Sequence, residues 1–227
     1  MNYLLHIDTS ADVGTVAISA DGVLVAERTT DQNREYASLL NGMIDEVLAD
    51  AKIKMDVLSG VVVCAGPGSY TGLRIGLSTA KGLCYVLDKP LLLDNKLSLL
   101  AYREYMRDNK QDKYISILNA REGEFFVAVY DNKFNSLVEP THIHIAELHE
   151  MIDGMQGSGV VTGEIDAAIS DFFKIKEHRI SINNQVDTAI WAMYAYEQYK
   201  CNRIVNLSTA EPFYLKNFYT NKPIKNL

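Results

Sequence analysis

The sequence predicts an α/β protein of two lobes, each a mixed sheet flanked by helices, and three observations carry that expectation. Both halves open with apolar strand segments in hairpin order and then wind helical segments over them. A polar stretch, Asp108-Asn109-Lys110-Gln111-Asp112-Lys113, interrupts the pattern and divides a first lobe, 1–108, from a second, 109–227. A chain of 227 residues, 48% apolar and 22% charged, also buries a sizeable core without a disulfide or metal staple. No exact internal repeat is visible, so duplication rests on the coarse pattern alone.

Taken in order, residues 3–8 form a near-continuous apolar strand. Residues 14–19 and 23–29 follow as a hairpin turned by Ala20-Asp21-Gly22, since Asp-Gly is a strong two-residue turn signal. A helix over 34–51 carries Tyr36, Leu39, Leu40, Met43, Ile44, Val47 and Leu48 at three- and four-residue steps, one wide stripe. The β-branched run 61–65 is a buried strand that enters the turn Gly66-Pro67-Gly68-Ser69-Tyr70-Thr71-Gly72. A second helix covers 73–87 and stops before Pro90, a strand starts at Leu91, and a third helix covers 97–107. In the second lobe strands at 114–119 and 125–130 flank a turn at Glu122-Gly123. A further segment follows Asp131-Asn132, then a helix at 145–151, a strand at 160–162 closing at Gly163 and a helix at 165–172. Asp187 opens the last helix, which together with the tail is expected to return to the first lobe.

The charge balance narrows the function classes. Twenty-two basic against 29 acidic residues give −7, a poor surface for holding nucleic acid unaided. Cys64, Cys84 and Cys201 are odd in number and lack CxxC spacing, so they read as buried, reduced thiols of a cytoplasmic protein. The N-terminal run ends at Asp8 without a basic region and reads as a strand, not a signal peptide. The apolar runs fall short of the roughly 18 residues of a membrane span, so a soluble protein with no membrane partner is expected.

Two stretches invite phosphate or nucleotide chemistry. A strand, a glycine-rich turn and a helix start make a common anion site, and Gly66, Gly68, Ser69 and Thr71 are its candidates here. The Walker and GxGxxG patterns both fail, however, and a tight turn with close helix packing explains the same residues. Asp8, Thr9 and Ser10 at the end of the first strand offer a carboxylate and two hydroxyls for a hydrated cation and phosphates. An Asx or Ser/Thr turn is the alternative.

Metal and nucleophile signals are poor. His142, His144 and His149 lie within eight residues, but no carboxylate or cysteine completes a ligand set, and a surface cluster is the expectation. No Gly-x-Ser-x-Gly elbow exists, so no catalytic residue is nominated and no intrinsic metal or cofactor is expected. The tail from Glu211 to Lys225 interleaves three lysines with four aromatics, which suits either RNA contact or a docked tail.

Several motifs together resemble the TsaB (YeaZ) family. They are Ile7-Asp8-Thr9-Ser10 with Gly14-Thr15-Val16-Ala17-Ile18, then Gly66-Pro67-Gly68-Ser69-Tyr70-Thr71-Gly72-Leu73-Arg74-Ile75-Gly76, then Ala80-Lys81-Gly82-Leu83. Asn119-Ala120-Arg121-Glu122-Gly123-Glu124 and Pro212-Phe213-Tyr214-Leu215-Lys216 extend the likeness over nearly the whole chain. Asn119 and Lys216 stand where the family more often has Asp and Arg, and Glu35 lies near its usual histidine. The resemblance implies an actin-like ASKHA fold. It also implies a non-catalytic, activating scaffold for TsaD, which places threonylcarbamoyl on the adenosine beside the anticodon of ANN-decoding tRNAs. A TsaE-type ATPase would join, ATP or ADP and metal would sit on the partner subunits, and tRNA would be met only through the complex.

In that family the first two helices pair with those of the partner. Here this implies an interface of Tyr36, Leu39, Leu40, Met43, Ile44 and Val47 with Leu73, Ile75, Leu77 and the close-approach residues Gly72, Gly76 and Ala80. The same face permits a homodimer in the partner's absence. The catalytic sister family carries Asn-His-x-x-x-His after its lysine-proline strand, whereas this chain has Asn95-Lys96 and Leu100, and neither an ammonium nor a hydrocarbon ligates a metal. The rival readings are a sugar or acetate kinase of the same fold, with Ser158-Gly159 and Gly163-Glu164 as second-lobe remnants, and more weakly a peptidase.

Overall fold

The computed structural model describes residues 1–214 apart from 33, 34, 122, 156, 166, 176 and 177. Strands β1 (Tyr3–Asp8), β2 (Gly14–Ala20), β3 (Val23–Thr30), β4 (Leu58–Cys64) and β5 (Leu91–Asp94) form a sheet in the order β3-β2-β1-β4-β5. The β1–β2 and β2–β3 pairs are antiparallel, and β1–β4 and β4–β5 are parallel. Strands β6 (Lys113–Arg121), β7 (Glu124–Asp131), β8 (Ser136–His144), β9 (Gly159–Gly163) and β10 (Arg179–Ile182) form a second sheet, β10-β9-β6-β7-β8. Its pairings repeat those of the first, strand for strand.

Local chemistry explains these elements. Asp21 and Gly22 both take positive φ, 47° and 84°, as the tight hairpin between β2 and β3 requires. The central strands β1 and β4 are buried on both faces, so they read as continuous apolar runs. Helices α1 (Tyr36–Asp50) and α2 (Tyr70–Leu87) cover one face of the first sheet, where Leu40, Ile44, Val47, Leu77, Ala80 and Cys84 meet Leu5, Ile7, Val61 and Val63. The opposite face presents the alternate residues Leu4, Val62, Cys64 and Leu92 to Leu99 of α3 (Lys96–Arg107) and to Trp191 and Ala195 of α6 (Thr188–Lys200).

Helix α3 has a second allegiance. Its Leu97, Leu100 and Ala101 pack on Tyr114, Ala128, Tyr130 and Val160 of the second sheet. Arg103 locks it there, donating to Thr162 Oγ1 at 2.6 Å, Gln185 O at 2.6 Å and Asn183 O at 3.0 Å. Helices α4 (Ile145–Asp153) and α5 (Ala167–Ile175) cover the far face of that sheet. Thus α3 lies between the sheets, and the chain returns through α6 to the first.

Several boundaries differ from expectation. Helix α2 begins at Tyr70, inside the glycine motif, because Ser69 is its N-cap and accepts from Gly72 N at 3.3 Å. Strand β10 was not predicted, its four residues giving too little periodicity. Cys64 and Cys84 are buried, but Cys201 is exposed, which corrects the expectation for that thiol: it lies just past the end of α6. Among the described residues no helix is long and apolar enough to cross a membrane.

Candidate functional site

The loop after β1 and the start of α2 are built against each other. Asp8 turns its carboxylate onto its own loop, accepting from Ser10 N at 2.8 Å, the Asx turn the sequence left open. Thr9 Oγ1 donates to Gly72 O at 2.7 Å, and Ser69 N donates to Ser10 O at 2.8 Å. A Cβ on Gly68 would strike the Ser10 carbonyl, one on Gly72 the Thr9 carbonyl and one on Gly76 the Thr9 hydroxyl. These glycines therefore let α2 approach the chain's own β1 loop.

This junction forms one wall of a cleft between the sheets. Ser10, Gly68, Ser69, Thr71 and Lys96 face Asn119, Glu164 and Asn184 across a cavity of about 690 Å³. A smaller cavity of about 240 Å³ adjoins it, lined by Asp8, Asp12, Glu27, Asn184 and again Lys96. Of the predicted phosphate residues, Thr9 and Gly66 line neither. The Thr9 hydroxyl is spent on Gly72, and the Gly66 carbonyl accepts from Lys96 N at 2.7 Å. In the sequence Lys96 stands out only as a non-ligand at the sister family's histidine position, and nothing there marks it as a cleft residue. It is only 4% exposed, because α3 is squeezed between two sheets.

The predicted partner interface needs correction. Tyr36, Leu40, Ile44, Val47, Leu73, Leu77 and Ala80 are buried by this chain alone, as are Gly72 and Gly76. Their stripe faces the first sheet, and periodicity does not say which neighbour covers it. Tyr36 instead folds over the β1–β2 loop and donates to Ala11 O and Asp12 O at 2.7 and 2.8 Å. Burial, with Asp8 and Asp12 close by, pushes its hydroxyl up to about 12.

The outer face of the same helices is different. Leu39 is half-buried; Met43 and Ile75, also half-buried, pack against the core instead, and Ile75 lines the larger cavity of the cleft. Gly42 and Gly82 have nothing within 4 Å of where a Cβ would stand, and Tyr85 and Val86 are 82% and 80% exposed. One flank of α2 is covered by the chain's end: Lys81 Nζ donates to Ala210 O at 3.1 Å, and Tyr214 lies 5.6 Å from the Tyr70 ring. Phe213 N donates to Ala65 O at 2.9 Å, so the first part of the aromatic tail is docked. Lys216, Lys222 and Lys225 lie outside the described residues.

The histidines divide. His142 Nε2 is 3.1 Å from Glu124 Oε2 and its ring is 6.0 Å from His144, while His149 sits against Phe172 at 4.2 Å. Among the described residues no group of three or more His, Cys, Asp or Glu could hold a metal ion. Beneath the first sheet, the Trp191 indole donates to Asp94 Oδ2 at 2.7 Å and meets the His6 ring edge-on at 4.8 Å. Burial lifts the Asp94 carboxyl to about 7 against that hydrogen bond, and burial lowers His6 to about 3.

Comparison with known proteins agrees with this architecture. The family model "TsaD: tRNA N6-adenosine threonylcarbamoyltransferase" matches residues 23–191. The tRNA threonylcarbamoyladenosine biosynthesis protein TsaB of Bacillus subtilis (strain 168) is 32% identical over 154 residues, 66% of this chain and 65% of that protein. The protein of the same name from Escherichia coli (strain K12) is 26% identical over 223 residues, 94% of each chain. The solved structure of YeaZ from Pseudomonas aeruginosa superposes with a TM-score of 0.69 at 18% identity, covering 95% of this chain and all of that one. That last likeness is one of fold, the actin-like arrangement of two mixed sheets flanked by helices. The chain belongs to the family that the TsaD model describes and, within it, to the TsaB (YeaZ) group.

Proposed function

We propose that this chain is a non-catalytic subunit in tRNA threonylcarbamoyladenosine biosynthesis that docks on a TsaD-type catalytic subunit and orders it. The reaction served is threonylcarbamoyl transfer to the adenosine beside the anticodon. The observation that carries the docking is the outer face of α1 and α2. There Gly42 and Gly82 meet open space where a Cβ would stand, and the same helices carry the half-buried Leu39 and the exposed Tyr85 and Val86. Small residues let a partner helix come close, and the flanking side chains supply the apolar contact. Lys96 and Leu100 at the start of α3 are one buried ammonium and one buried hydrocarbon, which supports placing metal and ATP or ADP on the partners. A TsaE-type ATPase completes the assembly, tRNA is reached through the complex, and an unpartnered face favours a homodimer.

Co-purification with a TsaD-type subunit tests this reading. Gly82→Arg builds into open space and Tyr85→Glu changes a side chain that is 82% exposed, so the monomer's melting temperature should hold while pairing weakens at least tenfold. Undiminished pairing by both variants refutes the interface.

A further inference from the structure

We propose that the open edge of β3 takes an extended, basic segment of a partner protein as a further strand, with its apolar side chains in the groove between β3 and α6. The two sheets treat their four edges differently. Strand β5 is closed by the chain itself: Val205 bridges to Leu91, and its N–H donates to Leu91 O at 3.0 Å. Strand β10 has only four residues and β8 carries Pro140, two ordinary ways of blunting an edge. Strand β3 runs for eight residues without a proline or a lysine. Among the described residues only β2 pairs with it, so alternate backbone N–H and C=O groups point away from the sheet. Val23 and Val25 stand 67% and 46% exposed on it. A register shift between Ile18 and Ser19 leaves Val25 as a bulge. An added strand therefore pairs along residues 26–30 and carries its end past Val25 into the groove.

That groove, about 440 Å³, is lined by Val23 and Leu24 of β3, Tyr102 of α3, and Ala189, Met193 and Tyr196 of α6. The α6 residues recur at four- and three-residue steps and so share one face. Charge selects the occupant. Asp21 and Glu197 stand at the same groove, the first accepting from Asn2 N at 2.9 Å and the second paired with Lys200 at 2.7 Å. Farther along the strand, Glu27 accepts from Thr188 Oγ1 at 2.6 Å, and Glu46 and Asp50 of α1 both pair with Arg28. These carboxylates outnumber Arg28, Lys200 and the terminal amine beside Asp21, which leaves the edge with surplus negative charge. A second copy would set two such edges against each other, and RNA would bring more anions, so both are disfavoured. A strand alternating apolar and cationic residues suits the two sides: apolar groups toward α6, ammonium groups toward Glu46 and Asp50. Helix α6 lies on the opposite face of the first sheet from α1 and α2, so strand addition and TsaD pairing can fail independently.

Calorimetric titration of the full chain with the peptide acetyl-Lys-Val-Lys-Val-Lys-Val-Lys-amide, at matched ionic strength, tests the edge. Binding should be saturable, and about tenfold weaker or more for the equally charged peptide with serine in place of valine. Met193→Lys and Val23→Lys change exposed side chains, so each should keep the melting temperature and bind the valine peptide about tenfold more weakly or worse. In the wild type the peptide should also slow hydrogen exchange within residues 26–30, a readout that needs no variant. Absence of saturable binding, equal affinity for the serine peptide, wild-type affinity in both folded variants, or unchanged exchange at 26–30 overturns the proposal. So does sedimentation showing a dimer that Val23→Lys dissolves, which would give the edge to a second copy instead.

Discussion

His6, Asp94 and Trp191 meet in the interior, and the two titratable groups pull stability in opposite directions with pH. Asp94, lifted from 3.8 to about 7, favours the fold fully below about pH 4. It loses that contribution as pH rises toward 7, since the unfolded chain ionises first. His6, lowered from 6.5 to about 3, favours the fold above about pH 6.5 and loses its contribution as pH falls toward 3. The two slopes therefore oppose each other between about pH 4 and 6.5. Asp94→Asn keeps an acceptor for the Trp191 indole and removes one slope. Relative to the wild type it should gain stability from pH 4 to 7, by up to about 1.4 kcal/mol per pH unit. Urea denaturation of both proteins across that range checks the sign. None of this was legible in the sequence. Asp94 and Lys96 look like ordinary polar residues around a helix start, and only the wedging of α3 and α6 against the sheets buries them.

Glycines on the first two helices separate inward from outward faces. Gly72→Ala drives a methyl into the Thr9 carbonyl and should cost about 1–3 kcal/mol of unfolding free energy. Gly42→Ala meets open space and should stabilise by about 1 kcal/mol through helix propensity alone. Chemical denaturation of the two variants settles both signs. The helices, the hairpin turn and the glycine junction were readable because each is fixed by local pattern: a 3.6-residue period, an Asp-Gly pair, a strand running into small residues. What covers the apolar stripe was not readable. Leu40 and Leu77 look like a docking face in sequence, yet they complete the chain's own core.

The two sheets share one strand order, and the helices between them are not parcelled out evenly. Arg103 is the clearest consequence, reaching from α3 to Thr162, Asn183 and Gln185 while paired with the buried Glu104 at 3.0 Å. Arg103→Ala removes the donors to Thr162, Asn183 and Gln185, while Glu104 keeps Arg107 at 3.4 Å and Ser181 Oγ at 3.0 Å. The variant should be destabilised by about 1–3 kcal/mol. Hydrogen exchange should quicken first in β9 and in residues 183–187. The two-lobed architecture was legible because strand and helix order repeats along the chain. The crossing of α3 was not, since its length and amphipathic pattern are those of any helix lying on one sheet.

The polar segment at 108–113 looks like the hinge of a book. With α3 gripped by both sheets ahead of it and α6 fastened to the first sheet behind, the covers share a spine on either side of the fold. Swinging apart would tear one of the two apolar seams that α3 makes with the sheets. Opening the space between the sheets therefore costs the burial of α3 on one of them.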